Sequence, residues 1–104
     1  MNKPAFYIKE NSWLAKLAAK KMKATSVAMV LGKTIHLWGT TKENFLADER
    51  WLKHELCHIK QYQKNGTALF LIKYLWESLR VGYYNNKFEV EARAAEKDSL
   101  ETQS

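Results

Sequence analysis

The sequence contains few residues that interrupt or cross-link a chain. One proline and four glycines occur among its 104 residues, which excludes collagen-like and Pro/Gly-rich low-complexity chains. The single cysteine, Cys57, excludes an internal disulfide and is typical of a cytoplasmic protein. At this length one domain is expected, covering residues 1–104, with a core at about 25–97 and flexible ends at 1–11 and 101–104.

Long hydrophobic runs are also absent. The first residues lack the apolar core of a signal peptide, and the most apolar segment, TALFLIKYLWESL, is interrupted by Lys73 and Glu77 and is too short to span a bilayer. The net charge of +6 is ordinary for solubility, and no known nucleic-acid motif accompanies it. We therefore expect a soluble cytoplasmic protein that has neither a membrane nor a nucleic acid as its partner.

The first half of the chain has the periodicity of a helix followed by a hairpin. Asn11-Ser12 can cap an amphipathic helix at about 12–23. Strand-forming residues follow at about 26–31 and 34–38, and Gly32-Lys33 between them suits a two-residue hairpin turn. The helix face expected to pack on the core consists of Trp13, Leu14, Leu17, Ala18 and Met22.

The second half of the chain predicts three helices, which makes the fold class α+β. Thr40-x-x-Glu43 resembles a capping box, but Asp48 is the better N-cap for a helix that runs to Lys64 and ends at Asn65-Gly66. Thr67 can cap a helix at about 68–81, and a last helix is expected at about 87–100, after a connection. The middle helix should be the main buried one, through Ala68, Leu69, Leu71, Ile72, Leu75, Trp76 and Leu79.

The segment His54-Glu55-Leu56-Cys57-His58 is the strongest functional signal. At about 100° per residue, the two histidines lie about 40° apart on one helix face and one turn apart along it, so both can reach one metal ion. Glu55 lies at the edge of that face, where it can take a proton from a metal-activated water. This division of roles is the chemistry of the His-Glu-x-x-His motif of zinc peptidases.

A catalytic zinc site needs a third protein ligand from elsewhere in the chain. His36 is the only other histidine, and it lies in the second strand. Glu89 and Glu91 open the last helix; being two positions apart, they point in nearly opposite directions, so at most one of them is a ligand. Gln61 falls on the face of His54, where it can touch substrate or a residue near the metal.

The chain resembles the gluzincin branch of zinc metallopeptidases over about residues 25–97. The segments HELCHIKQYQKNG and GYYNNKFEVEARAAE are similar to those of small uncharacterised bacterial zincin-like proteins. The resemblance implies one Zn²⁺ per chain and a peptide or protein substrate laid along the strand TIHLWG, which contains His36. It implies the following roles: His54, His58 and Glu89 as zinc ligands, with Glu91 as the alternative, Glu55 as general base, and Tyr83 or Tyr84 as oxyanion donor.

Two departures from the gluzincin pattern leave other functions open. Arg93 stands where gluzincins have an acidic residue that orients a histidine ligand, so Glu91, Glu96 or a backbone carbonyl would have to do this. The chain is also short for a protease, which leaves three alternatives: a minimal enzyme, an enzyme whose cleft a protein partner completes, or a non-catalytic zinc-binding regulatory or interaction module. A third hypothesis is a basic protein that binds nucleic acid or an anionic membrane surface.

Overall fold

A computed structural model describes residues 5–98 of the chain. Its architecture is α+β, as the sequence predicts, with three strands and five helices among the described residues. In chain order the elements are β1 (Tyr7–Lys9), α1 (Trp13–Met22), β2 (Val27–Leu31), β3 (Thr34–Trp38), α2 (Lys42–Ala47), α3 (Glu49–Asn65), α4 (Thr67–Asn85) and α5 (Lys87–Ala95). The expected flexibility of 101–104 concerns residues outside the described part of the chain.

The predicted hairpin is confirmed. β2 and β3 pair in antiparallel fashion, and Leu31 lies opposite Thr34 across the two-residue turn. Gly32 has a φ of 66° whereas Lys33 is not in the left-handed region, the pattern of a type II′ turn. Glycine adopts that first turn position without a steric penalty, which explains why this joint forms here.

β1 corrects two predictions. Residues 7–9 belong to the segment expected to be flexible, yet they pair in parallel with β3, with Ile8 opposite Ile35. The sheet order is β1-β3-β2, so β3 (the strand TIHLWG) is central and β2 is the edge strand on the other side. Both sides of a central strand are already hydrogen-bonded to neighbours, so β3 has no free edge on which to add a peptide strand.

The sheet is packed between α1 and α3. On one face, Ala15 and Ala19 of α1 form a small cluster with Val27. On the other face is the main core, in which side chains of α3 and α4 pack on β2 and β3. This core consists of Val30, Ile35, Leu37, Phe45, Leu52, Leu56, Ile59, Tyr62 and Phe70. α5 packs on the far side of α3, where Ala92 and Ala95 meet Cys57, which is buried as a small filler.

Helix caps agree with the sequence at α1 and α3 but not elsewhere. Ser12 and Asp48 cap these two helices as predicted, each accepting a backbone N–H with its side chain. The capping residue before α2 is Thr41 and not Thr40, and α2 is itself a short helix that the sequence analysis did not predict. Thr67 is the first residue of α4 and makes no cap, because Gly66 occupies the cap position.

The last two helices also differ from their predicted bounds. α4 continues to Asn85, through a break at Gly82, whose φ of 84° and ψ of 166° are not helical. The predicted connection therefore shrinks to this break and the cap residue Asn86. α5 ends at Ala95, earlier than the sequence predicts.

The sequence analysis is wrong about which faces of α1 and α4 are buried. α4 fully buries only Phe70 and Glu77, and Leu71 is half-buried. The other large apolar residues expected in the core are exposed: Leu69, Ile72, Leu75, Trp76 and Leu79. α1 likewise buries Ala15 and Ala19 in place of its larger apolar residues. Among residues 5–98, no helix is both long and apolar enough to cross a membrane.

Candidate metal centre

α3 presents the two histidines of the motif as the sequence predicts. Its cap at Asp48 fixes the start of the helix, and His54 and His58 then face each other with ring centroids 5.1 Å apart. Glu55 is also buried, with 5% of its surface exposed. The apolar residues of the same helix, Leu52, Leu56 and Ile59, pack in the main core and so hold the histidine face toward α4 and α5.

Glu89 reaches the two histidines from the first turn of α5. This turn is held by the fully buried Asn86, whose side chain accepts a hydrogen bond from the backbone N–H of Phe88. The amide of Asn86 also donates to the carbonyl oxygen of Tyr74 at 3.1 Å and to Ser78 Oγ at 2.8 Å, which ties α5 to α4. Asn86 therefore positions Glu89 although it lies outside the centre itself.

Three donor groups converge at one point. His54 Nε2 is 3.0 Å from Glu89 Oε1, and His58 Nε2 is 3.2 Å from Glu89 Oε2. One ligand atom from each of the three residues lies within 4.8 Å of the others. Tetrahedral Zn²⁺ with bonds of about 2.0–2.1 Å holds its ligand atoms about 3.3 Å apart. The two histidine–Glu89 distances are close to this spacing.

The outer nitrogens of both histidines are held by hydrogen-bond acceptors. His54 Nδ1 is 2.8 Å from Glu96 Oε2, and His58 Nδ1 is 2.8 Å from Gln61 Oε1. An acceptor at Nδ1 requires a proton on that nitrogen, so Nε2 is the nitrogen that donates to Glu89 in the metal-free protein and that can bind a metal once its proton has left. This second layer of contacts is the arrangement that orients histidine ligands in metal sites.

Both supporting groups are themselves fixed. Arg50 Nη2 lies 3.0 Å from Glu96 Oε1, and Gln61 Nε2 donates to Glu91 Oε1 at 2.6 Å and to the carbonyl oxygen of Phe88 at 3.1 Å. The two acceptors at Nε2 identify the other side-chain atom of Gln61 as the oxygen, which faces His58. Gln61, buried to 6% exposure, therefore contacts a residue of the centre, which is the second of the two roles considered from the sequence.

The electrostatics of the centre, without a metal, favour protonated histidines beside an ionised Glu89. Burial alone would lower the pKa of His54, but the hydrogen bond to Glu89 and the charge of Glu55 raise it to about 9. Burial would raise the pKa of Glu89, yet its hydrogen bonds from His54 and His58 hold it well below its usual range. Protons thus supply the positive charge that a divalent ion would supply in their place.

Two further groups complete the chemistry of the centre. Burial raises the pKa of Glu55 to about 7, against the lowering effect of the histidines, which suits a group that accepts and returns a proton near neutral pH. The hydroxyl of Tyr74 donates a hydrogen bond of 2.5 Å to Glu89 Oε2. Burial and this contact keep the pKa of Tyr74 far above its ordinary value, so it remains a donor.

The centre opens into a cleft of about 530 Å³ that lies between the β2 edge of the sheet and α4. His54, Glu55, His58 and Glu89 all line it. The remaining walls are mainly apolar and include Met22, Val27, Met29, Leu71 and Leu75. A cleft of this kind is the usual setting for a binding site with a few polar groups in an apolar wall.

The other residues considered from the sequence fall into two groups. Tyr83 lines the cleft, and burial of its hydroxyl together with the charge of Glu89 raises its pKa to about 12. Tyr84 lies elsewhere, with its ring 4.0 Å from the guanidinium carbon of Arg93. His36 points to the α1 side of the sheet, where its Nδ1 is 2.8 Å from Ser12 Oγ, so it is neither a ligand nor a substrate contact.

Glu89 and Glu91 separate as their spacing on the helix requires. Glu89 lies with the two histidines, whereas Glu91 contacts Gln61, which in turn contacts His58. Glu96 takes the orienting role that Arg93 cannot fill. It follows Glu89 by seven residues, which is almost two full helical turns, so the helix wheel could have selected it from the sequence. Tyr74 was missed, and no local pattern marks it.

Comparisons of this chain with protein-family models, with curated proteins and with solved structures found no match. Taken together, two imidazoles, one carboxylate and a neighbouring buried glutamate in a cleft form an arrangement that can hold a divalent metal ion.

Proposed function

We propose that this protein is a zinc-dependent peptidase of the gluzincin type, acting in the cytoplasm. The observation that carries the proposal is the convergence of His54, His58 and Glu89 in a cleft that Glu55 also lines. Each histidine is oriented by its own acceptor, and each of these acceptors is held by a further side chain. A structural pair of histidines needs no such double support, whereas a metal ligand does.

His54, His58 and Glu89 would hold the ion. A bound Zn²⁺ supplies a Lewis acid that lowers the pKa of water and neutralises negative charge on a carbonyl oxygen. His₂Glu is the ligand set of one known class of catalytic zinc sites, in which a fourth position remains for water or substrate. Zn²⁺ is preferred over Mg²⁺ or Ca²⁺ because two of the three donors are imidazole nitrogens.

Glu55 is the proposed general base. It would take the proton of the attacking water and later return it to the leaving amine, a role favoured by its raised pKa of about 7. Tyr83, which stays protonated at neutral pH, would donate a hydrogen bond to the oxyanion from the wall of the cleft. Tyr74 holds Glu89 and does not need to contact substrate.

The edge strand β2 is the proposed peptide-binding strand, in place of β3. Among the described strands it pairs only with β3, so its outer edge can add a strand, with the carbonyl oxygen of Val30 already accepting a hydrogen bond from the Tyr62 hydroxyl at 3.1 Å. Residues 27–31 of this strand all line the cleft. An extended peptide on this edge would run beside the metal centre.

The first experiment measures metal content by mass spectrometry on untagged protein. One zinc per chain is expected, with loss in His54→Ala and in Glu89→Ala. Glu91→Ala is the matched control, because it lies on the same helix turn but contacts Gln61, and it should retain the metal. Loss of zinc in Glu91→Ala with retention in Glu89→Ala would reverse the ligand assignment, and absence of zinc after reconstitution would refute the site.

Turnover is tested separately, with an extended peptide library and Glu55→Gln. This variant should bind zinc normally and lose at least 10²–10⁴-fold in activity, the usual contribution of a general base. Stoichiometric zinc without cleavage of any peptide would favour the second function, a non-catalytic zinc-binding module. Metal content and turnover thus decide between the two.

A further inference from the structure

α4 carries an apolar surface that has no partner in the described structure. The α4 outer face, as we name it, consists of Leu69, Ile72, Leu75, Trp76, Leu79 and Tyr83. Each of these side chains is at least half exposed, and Leu79 reaches 83%. Together they leave on the order of 600 Å² of apolar surface in water, at the upper end of what a monomer exposes without a partner.

The α4 outer face is one continuous strip. At about 100° per residue, the five members before Gly82 fall within roughly 120° of the helix circumference, opposite the buried Phe70, and Tyr83 follows the break at Gly82. Leu75 and Tyr83 also line the cleft, as does Met22 at the end of α1, so the strip reaches the mouth of the candidate site. α1 adds exposed apolar residues of its own there, with Met22 at 55% exposure.

The exposed charges of α1 and α4 are of one sign. α1 contains no Asp or Glu, but it contains Lys16, Lys20 and Lys21, and Lys23 caps it. α4 contains a single acid, Glu77, which is buried and pairs with Arg80. The exposed acids among the described residues lie outside α1 and α4. They are Glu10 in the turn before α1, the acids at the starts of α2 and α3, Glu91 on α5 and Asp98 after it. An exposed apolar strip with a cationic border is the combination that binds anionic lipid surfaces.

We propose that the α4 outer face docks on an anionic phospholipid bilayer, with the lysines of α1 contacting the headgroups. The protein would lie on the surface, with Trp76 and Leu79 entering the boundary of the acyl chains. This contact does not require the proposed peptidase activity, since Trp76, Leu79 and the lysines of α1 lie outside the metal centre; Tyr83, the proposed oxyanion donor, belongs to both surfaces. It places the cleft mouth beside the lipid surface, because Leu75 and Tyr83 belong to both.

A second copy of this chain suits the surface less well. The spacing Leu69, Ile72, Trp76, Leu79, Tyr83 would allow two α4 helices to pack together. However, Lys73 and Arg80 both lie on the same flank of the strip, about 20–40° beyond Leu69. In a two-fold antiparallel pair these cations would face their own copies, where like charges destabilise the contact.

The test is flotation of the purified full-length chain with vesicles of phosphatidylcholine, with and without phosphatidylglycerol, at low and high salt. The wild type should float with the anionic vesicles only, and less at high salt. Trp76→Ser/Leu79→Ser should lose at least tenfold in binding. Val90→Ser is the matched control, because Val90 is 48% exposed on α5, and it should bind as the wild type does. Lys20→Gln/Lys21→Gln should lose about fivefold for each lysine.

Three results would overturn the proposal. The first is the absence of flotation with anionic vesicles at low salt. The second is flotation that is unchanged in Trp76→Ser/Leu79→Ser, or that does not depend on lipid charge. The third is a dimer in analytical ultracentrifugation that these two substitutions dissociate, in a wild type that does not float, which would assign the α4 outer face to a second copy.

Discussion

Zinc binding to this protein is expected to displace a proton from His54. In the metal-free protein, hydrogen bonds to Glu89 and Glu96 and the charge of Glu55 raise the pKa of His54 to about 9. The nitrogen that faces Glu89, Nε2, is the one that would bind the metal, and it carries the proton at neutral pH. The metal and the proton therefore compete for the same lone pair.

The size of this effect follows from the pKa. A pH of 7 is two units below the pKa of His54, which is about 9, so only about one molecule in a hundred has a deprotonated Nε2 with a free lone pair. The competition costs about 3 kcal/mol of apparent zinc affinity at pH 7, relative to a pH above the pKa. The apparent affinity for zinc should rise about tenfold per pH unit from pH 7 to pH 9 and stay constant above pH 9. The raised pKa of His58 makes this rise steeper.

The assay is zinc titration against a competing chelator across this pH range, together with calorimetry in buffers of different ionisation enthalpy. At least about one proton should be released per zinc bound at pH 7. Glu96→Gln provides the control: without this charged partner the pKa of His54 falls, so the level region begins at lower pH. Stoichiometric zinc binding with no proton release would refute the reasoning, because His54 would then be neutral before the metal arrives.

The other predictions concern stability. The raised pKa of His54 stabilises the metal-free fold fully at pH values below 6.5, the ordinary pKa of histidine, and this contribution is lost as the pH rises through about 9. Urea unfolding of the metal-free protein should therefore show declining stability between these two pH values. Phe70→Ala should lower the free energy of unfolding by about 3–5 kcal/mol in the same assay, because Phe70 is 1% exposed in the core. Leu69→Ala, at the neighbouring residue that is 51% exposed, should change it by no more than about 0.5 kcal/mol. Gly39→Ala should prevent folding, since the added Cβ would lie 2.0 Å from the carbonyl oxygen of Thr25. In Gly82→Ala the added Cβ meets no atom within 4 Å, so this variant should lose only about 1–2 kcal/mol of stability, for its positive φ. Equal melting temperatures for the two variants would contradict this.

Supporting residues of the centre illustrate how far sequence reasoning reaches. The pairing of His54 with His58 depends only on helix geometry, and the cap at Asp48 is a local signal, so both were predictable. The choice of Glu89 over Glu91 depends on how α5 rotates against α3, which Asn86 and the packing of Ala92 on Cys57 decide. The sequence of α5 alone does not predict that rotation.

The sheet and the helix faces show the same limit. Local signals located the hairpin and the helix starts, because turns and caps form within a few residues. The short strand Tyr7–Lys9 was missed because its reason to form is parallel pairing with β3, a contact between segments that are distant in the chain. That pairing also turned β3 from an edge strand into the central one and moved the free edge to β2.

The sequence by itself thus determined the α+β class, the hairpin, the main helix and the histidine pair, all of which follow from rules that act over a few residues. Only the tertiary structure decided that Glu89 joins the histidines, that Gln61 and Glu96 orient them, and that the apolar strip of α4 faces outward. Periodicity defines an apolar face relative to its own helix. Whether that face is buried depends on the elements that pack against it, and α3 and α5 cover the opposite side of α4.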